Sequence, residues 1–253
     1  MQAVERHRYI VEKVNTSEAV DVDVLAEVFN VSTMTVRRDL SELDRKGLVL
    51  RTHGGAVKPE VVQHILSNFD LKVNQNKIDK QEICKAAASN IEENDIIFID
   101  CGTTLFHMCR YIVGFKNIRV ITNSLPVVSE LLNYPSIKIN LIGGEVDSHR
   151  KAVYGKLAEQ SIKDYHANKA FIGADGVSVS GGLSTYDEKE SSITKNMAAC
   201  ADKVFLLCDS SKIEKNAFVK FSPLNTIHYL VTDKHVSEET IRLYQENNVK
   251  VVC

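Results

Sequence analysis

The sequence predicts a two-part α/β protein, an N-terminal winged helix-turn-helix followed by a mostly parallel, doubly wound α/β domain. Three observations predict it. Residues 3–52 carry apolar positions at helical spacing, the pattern breaks across 59–75, and from residue 76 short β-rich apolar runs alternate with helical stretches. The expected organisation is therefore 1–58 for the first domain, 59–75 for a linker and 76–253 for the second domain.

Composition sets outer bounds. A chain of 253 residues, 44% hydrophobic and 25% charged, fits one or two globular domains. A net charge of -2 gives no global attraction to a polyanion, so any nucleic-acid site must be a local patch. No run of eighteen apolar residues is present, and the charged start MQAVERHRYIVEKV lacks a signal-peptide core, so a cytoplasmic protein with no membrane contact is expected. The six cysteines (Cys84, Cys101, Cys109, Cys200, Cys208 and Cys253) form no C-x-x-C pair, and no His cluster has metal spacing. They read as buried free thiols, with no metal site and no cofactor.

In the first domain, apolar periodicity runs through Val4, Ile10, Val11 and Val14, then Val24, Leu25 and Val28, then Val36, Leu40 and Leu43. Leu25, Ala26 and Phe29 give one short helix a buried face, and Asn30 tolerates the left-handed backbone that ends it. Val31 fills the turn, and Ser32 is a good N-cap for a second helix. Val36, Leu40 and Leu43 form that helix's core stripe, which leaves Met34, Arg38, Ser41 and Arg45 opposite, with Thr33, Thr35 and Arg37 beside them. A short helix, a tight turn and an exposed polar helix start are what a major-groove reader needs, and Arg is the side chain that most often reads guanine. After Gly47, the stretch 48–52 reads as a strand leading into His53-Gly54-Gly55-Ala56-Val57, a wing. Residues 1–30 hold three cations against six carboxylates, whereas 31–58 hold six against three. Positive charge thus gathers on the groove helix and wing. The expected DNA contacts are Ser32, Thr33, Met34, Thr35, Arg37, Arg38, Ser41, Arg51 and His53.

In the second domain the strand runs are 96–99, 119–122, 138–142, 170–172, 204–208, 228–232 and 249–252. Several end in polar or glycine motifs: Asp100-Cys101-Gly102-Thr103-Thr104, Thr122-Asn123-Ser124, Gly143-Gly144-Glu145, Gly173-Ala174-Asp175-Gly176 and Asp209-Ser210-Ser211-Lys212. Glycines after strands often make turns only, and Asp or Ser there is often a cap. Several such ends on one sheet edge instead form a site, because open α/β sheets bind ligands at the carboxyl ends of their strands. A glycine turn at a helix start, hydroxyls and a lysine suit an anion, while Asp, Asn and Glu suit sugar hydroxyls. No G-x-x-x-x-G-K-[ST] or G-x-G-x-x-G motif is present, which weighs against ATP and NAD.

The segment VSTMTVRRDLSELDRKGLVLRTHGGAV resembles the signature of DeoR-type regulators, and D-x-G-T-T, T-N-S, G-G, G-A-D-G and D-S-S-K resemble their C-terminal effector domain. The resemblance implies a fold of the pentose-phosphate isomerase and CoA transferase type. It places Gly102, Thr103, Thr104 and Lys212 near an effector phosphate, and Asp100, Asn123, Asp175 and Glu188 near its sugar, with Gly143 and Gly144 at the same edge. Cys101 departs from the family, which more often has a small Ser, Ala or Gly there. The expected partners are double-stranded operator DNA, a phosphorylated sugar or polyol, and further copies of the chain as a dimer or tetramer. Two other readings compete: a sugar-phosphate isomerase using Asp100, Asp175, Glu188 and Lys212, and an architectural DNA-binding protein.

Overall fold

The computed structural model describes residues 3–17, 19–45, 48–51, 54–57 and 69–253. The chain divides into two compact units, 1–68 and 69–253.

In the first unit the elements are α1 (Ala3–Ser17), β1 (Ala19–Asp21), α2 (Val22–Phe29), α3 (Thr33–Arg45), β2 (Leu50–Arg51) and β3 (Gly55–Val57). The strands form an antiparallel sheet in the order β1-β3-β2, so the wing has a third strand that the periodicity did not disclose. Gly55 is needed there, because a Cβ would run into the Val20 carbonyl of β1. Asp21 caps α2 by accepting the Asp23 and Val24 N–H groups at 2.7 and 3.3 Å. Asn30 ends α2 in the left-handed conformation at φ 50° and ψ 52°. Ile10, Val14, Leu25, Phe29, Val36, Leu40 and Leu43 fill one core. Val4, Val24 and Val28 share the helical period but are exposed.

A buried ion pair locks α3 to α1. Arg6 donates Nε to Asp39 Oδ2 at 2.6 Å and Nη2 to Oδ1 at 3.1 Å, and His7 Nε2 lies 3.1 Å from Oδ1. Burial works against the Asp39 charge, but the Arg6 and His7 hydrogen bonds outweigh it and hold the carboxyl below the usual range.

The second unit opens with α4 (Phe69–Lys72), so residues 69–75, expected in a linker, belong to it. Next come α5 (Lys77–Ala88), β4 (Ile96–Ile99), α6 (Thr103–Phe106), α7 (Cys109–Ile112), β5 (Arg119–Thr122), α8 (Leu125–Leu131) and β6 (Lys138–Leu141). A hairpin of β7 (Glu145–Asp147) and β8 (Ala152–Tyr154) leads to α9 (Lys156–Lys163) and β9 (Ala167–Ile172). The chain continues through β10 (Gly176–Ser178), β11 (Gly182–Thr185), α10 (Glu188–Ala199), β12 (Ala201–Leu207) and β13 (Val219–Ser222). It ends with β14 (Tyr229–Val231), α11 (Glu238–Glu246) and β15 (Lys250–Val252).

Seven strands make one parallel sheet in the order β15-β14-β12-β9-β4-β5-β6, and each of the seven apolar runs lies in one of them. Alternate residues feed two cores. Ile97, Ile99, Phe171 and Phe205 pack with α5 to α8, while Phe98, Ala170, Ile172 and Leu206 pack with α9 to α11. Successive strands run outward from β4 toward β6, and from β9 toward β15, so the sheet reverses direction between β4 and β9. Clefts form at such a crossover, beyond the carboxyl ends of the two strands. Four of the six cysteines are buried, Cys200 is partly so and Cys253 is exposed, and none is in a disulfide. Among the described residues no helix is long and apolar enough to cross a membrane.

Replacing Asp39 with Ala strands Arg6 in the helical core and should cost about 3–5 kcal/mol of first-unit stability in urea denaturation. Its folded pKa lies below the unfolded value of about 3.9, so its contribution is complete above about pH 5 and is lost as pH falls through the folded value. Acid titration of the wild type should show that loss, and the Asp39→Ala curve should be flatter across the same window.

Candidate functional site

On the first unit the candidate surface is the outer face of α3. Ser32 caps the helix, accepting the Thr35 N–H at 3.2 Å, and its hydroxyl lies 2.9 Å from Thr35 Oγ1. Ser32, Thr33, Met34, Arg37, Arg38 and Ser41 are exposed, and Thr35 is half-buried. Met34 is 72% exposed. Ser41 donates its hydroxyl to the Arg37 carbonyl at 2.7 Å, which occupies the proton it would offer elsewhere. Among the described residues neither Arg37 nor Arg38 is in an ion pair, and Asp39 beside them is turned inward onto Arg6. Arg51 lies on β2 opposite Ala56, and His53 falls outside the described residues.

On the second unit the crossover between β4 and β9 is pinned by Asp100. Its carboxylate is buried and accepts the Cys101 N–H at 2.8 Å, the Gly173 N–H at 3.3 Å and the Thr194 hydroxyl at 2.9 Å. Burial pushes its pKa up, and those three donors oppose the rise. Asp100 thus ties the ends of both strands to α10 and has a positioning role.

Around it four cations converge. Lys212, in a 3-10 turn after β12, donates to the Ala174 carbonyl at 3.0 Å. Lys80 on α5 is buried and donates Nζ to the Lys72 carbonyl at 2.5 Å and to Thr103 Oγ1 at 3.2 Å. Burial, Lys212 and Lys72 bring its pKa down to about 8. Lys72 is half-buried and within electrostatic reach of Asp175, Lys212, Arg150 and Glu190, and burial lowers its pKa too. Arg150, between β7 and β8, forms a short ion pair with Glu190 on α10.

The carboxylates alternate with these cations. Thr185 Oγ1 lies 2.9 Å from Asp175 Oδ2 and 3.1 Å from Glu190 Oε2, with one proton to share between them. Burial favours the neutral form of Asp175, but Lys212 and Lys72 outweigh it and hold the carboxyl below its usual range. Burial, with Asp175 and Asp100 nearby, lifts Glu190 above its own range against the pull of Arg150. At the end of β5, Asn123 is fully buried and donates Nδ2 to the Val153 carbonyl at 3.2 Å, while its Oδ1 has no donor among the described residues. A buried oxygen left unpaired costs about 1–3 kcal/mol, so this atom is a ready acceptor for a ligand hydroxyl.

The structure brings together Gly102, Thr103, Asp175 and Lys212 of the expected set, with Asp100 beneath and Asn123 on the neighbouring strand. Thr104 is buried, and its carbonyl accepts the Cys84 thiol. Gly143 is exposed with open space around it, and Gly144 is needed because a Cβ would strike the Tyr154 carbonyl. Glu188, expected near the sugar, stands exposed at the start of α10, and Glu190 is the residue paired with Arg150 in the cluster. Helix phase decides this, because Asp187 caps α10 and Glu190 shares a stripe with buried Ile193, Thr194 and Met197. Cys101 is buried with its sulfur 3.2 Å from the Tyr154 hydroxyl.

Sequence reasoning missed Lys72, Lys80, Arg150 and Glu190. Two of them carried a signal. Lys80 heads the stripe Ile83, Cys84 and Ala87, and a charge on a buried stripe marks a group with a partner. Glu190 does the same on α10. Lys72 and Arg150 lie in segments without period and had none. Among the described residues no group of three potential ligands could hold a metal.

Comparison with known proteins places the chain in a family. A family model described as the DeoR C terminal sensor domain matches residues 75–234, and one described as the DeoR-like helix-turn-helix domain matches residues 6–61. The chain belongs to the DeoR family. It is 32% identical over 253 residues to an HTH-type transcriptional regulator of Bacillus subtilis (YulB), covering 100% of this chain and 97% of that protein. It is 26% identical over 249 residues to a putative aga operon transcriptional repressor of Escherichia coli O157:H7, covering 98% and 93%. Ribose 5-phosphate isomerase from Methanocaldococcus jannaschii overlays 55% of this chain and 55% of its own at a TM-score of 0.41 and 18% identity. This DeoR-family chain is a transcriptional regulator with a DNA-binding unit and a sensor unit.

Glu190→Gln removes the counter-charge of Arg150 and should lower sensor-unit stability by about 1–3 kcal/mol in chemical denaturation. Glu188→Gln, on the exposed first turn, should stay within about 0.5 kcal/mol of wild type. Equal losses from the two would contradict the placement of Glu190 in the cluster.

Proposed function

We propose that this regulator represses a sugar or polyol catabolic operon in the cytoplasm, and that a phosphorylated sugar at the β4/β9 crossover sets its affinity for operator DNA. The observation that carries this is the mixture at one sheet edge. Lys72, Lys80, Lys212 and Thr103 suit a phosphate, and Asp175 and Asn123 Oδ1 suit hydroxyls. Its similarity to a putative aga operon transcriptional repressor of Escherichia coli O157:H7 supports repression. On the DNA side, Thr33, Met34, Thr35, Arg37 and Arg38 read the major groove, and β2 and β3 lie along the backbone as a wing. A dimer or tetramer pairs the reading helices on two half-sites.

Binding without turnover is the preferred reading of the sensor unit. Asp100 is fully engaged by three donors, and Glu190 is engaged by Arg150 and Thr185. Neither is free to move a proton on a substrate. Turnover of pentose or hexosamine phosphates in a coupled isomerase assay would overturn this reading.

The direct experiment is an operator mobility shift titrated with a panel of phosphorylated sugars. One member should change operator affinity by roughly 5- to 150-fold, the usual range of allosteric coupling. Lys212→Ala should bind the operator normally yet respond weakly. Arg38→Ala should lose about 1–3 kcal/mol of operator affinity and relax base preference. No response to any sugar phosphate at millimolar concentration would sink the sensing role, and full affinity in Arg38→Ala would remove that residue from the reading set.

A further inference from the structure

The stretch that opens the sensor unit is fastened to the sheet edge partly by the anion site itself. Lys80 holds the Lys72 carbonyl with the same ammonium that reaches Thr103. His107 Nε2 lies 3.0 Å from the Val73 carbonyl, and since a carbonyl only accepts, that nitrogen carries the proton. Phe69 is buried, donates its N–H to the His149 carbonyl at 3.1 Å and meets Phe106 edge-on at 5.6 Å. Lys151 pairs with Asp70 at 2.6 Å. Residues 69–76 therefore carry one lysine of the site and are gripped by another.

These are also the first residues of the sensor unit, directly after residue 68, where the DNA-binding unit ends. The polypeptide enters the sensor unit through them. With no anion bound, Lys72 and Lys80 repel each other and both repel Lys212. An anion seated among the three attracts each of them and offsets that repulsion, and of the three Lys72 is the one carried by the entry segment.

We propose that an anionic ligand bridging Lys72, Lys80 and Lys212 fastens residues 69–76 to the sheet, and that ligand occupancy reaches the DNA-binding unit through this segment. The inference rests on the anionic-ligand reading of the same site and adds the route by which that site is read out. The alternative sign, in which the anion draws Lys80 away from the Lys72 carbonyl and frees the segment, is a distinct outcome.

Hydrogen exchange of the full chain with inorganic phosphate as the probe tests it, with binding measured separately by calorimetry. In the wild type, saturating phosphate should slow exchange across 69–76 by about tenfold. Lys72→Met should bind phosphate more weakly and, at a phosphate concentration that calorimetry shows to saturate it, lose that protection, and Lys72→Arg should restore both. Lys85→Met, on the exposed side of α5, should behave as wild type. Phosphate bound with unchanged exchange at 69–76 overturns the route, and faster exchange overturns the fastening, while either leaves the site intact. Absence of any binding heat in the wild type overturns the site and the route together.

Discussion

Lysine and arginine side chains do not gather in a partly dry cleft unless opposite charge or a ligand makes the gathering favourable, because each unpaired buried charge costs several kcal/mol. At the β4/β9 crossover Lys72, Lys80, Arg150 and Lys212 are drawn together around Asp175 and Glu190, and the compensation is uneven. Arg150 is locked onto Glu190, whereas Lys72 and Lys80 are held below their ordinary pKa by burial and by neighbouring cations. An anion is the species that relieves this imbalance. Asp100 holds the two strand ends and α10 together beside these groups.

The DNA-binding unit solves a related problem with the opposite outcome. Arg6 and Asp39 neutralise one another inside the helical core, which fixes the roll of α3. That roll leaves Arg37 and Arg38 outward without carboxylate partners among the described residues. Asp39 and Arg38 are adjacent in sequence, and one anchors the helix while the other stands exposed on its outer face. In both units a buried carboxylate ties elements together and is fully engaged in doing so.

The parallel sheet was legible because strands buried on both faces must be continuous apolar runs, and these stand out between helical stretches. The recognition helix was legible from one stripe and one cap. Strand ends revealed Asp100, Thr103, Asn123, Asp175 and Lys212, since topology alone brings the carboxyl ends of parallel strands to one edge. The rest was set by helix phase and long-range docking. Glu188 and Glu190 differ by two positions, and the cap at Asp187 decides which turns inward. Lys72 was hidden because its place depends on α4 docking against Phe106 and His149, a contact no local pattern encodes. β1 was hidden because three residues between helices carry no period, and its partner lies thirty-odd residues away.

The central claim is that the sensor site and the operator surface are two ends of one equilibrium. Linkage then demands reciprocity: operator DNA must change affinity for the effector by the same factor as the effector changes affinity for the operator. Calorimetric titration of an active sugar phosphate into the free regulator and into the regulator saturated with operator measures that factor directly. Bound operator should change effector affinity by roughly 5- to 150-fold, the usual range of allosteric coupling. Effector affinity unaltered by bound operator would contradict it.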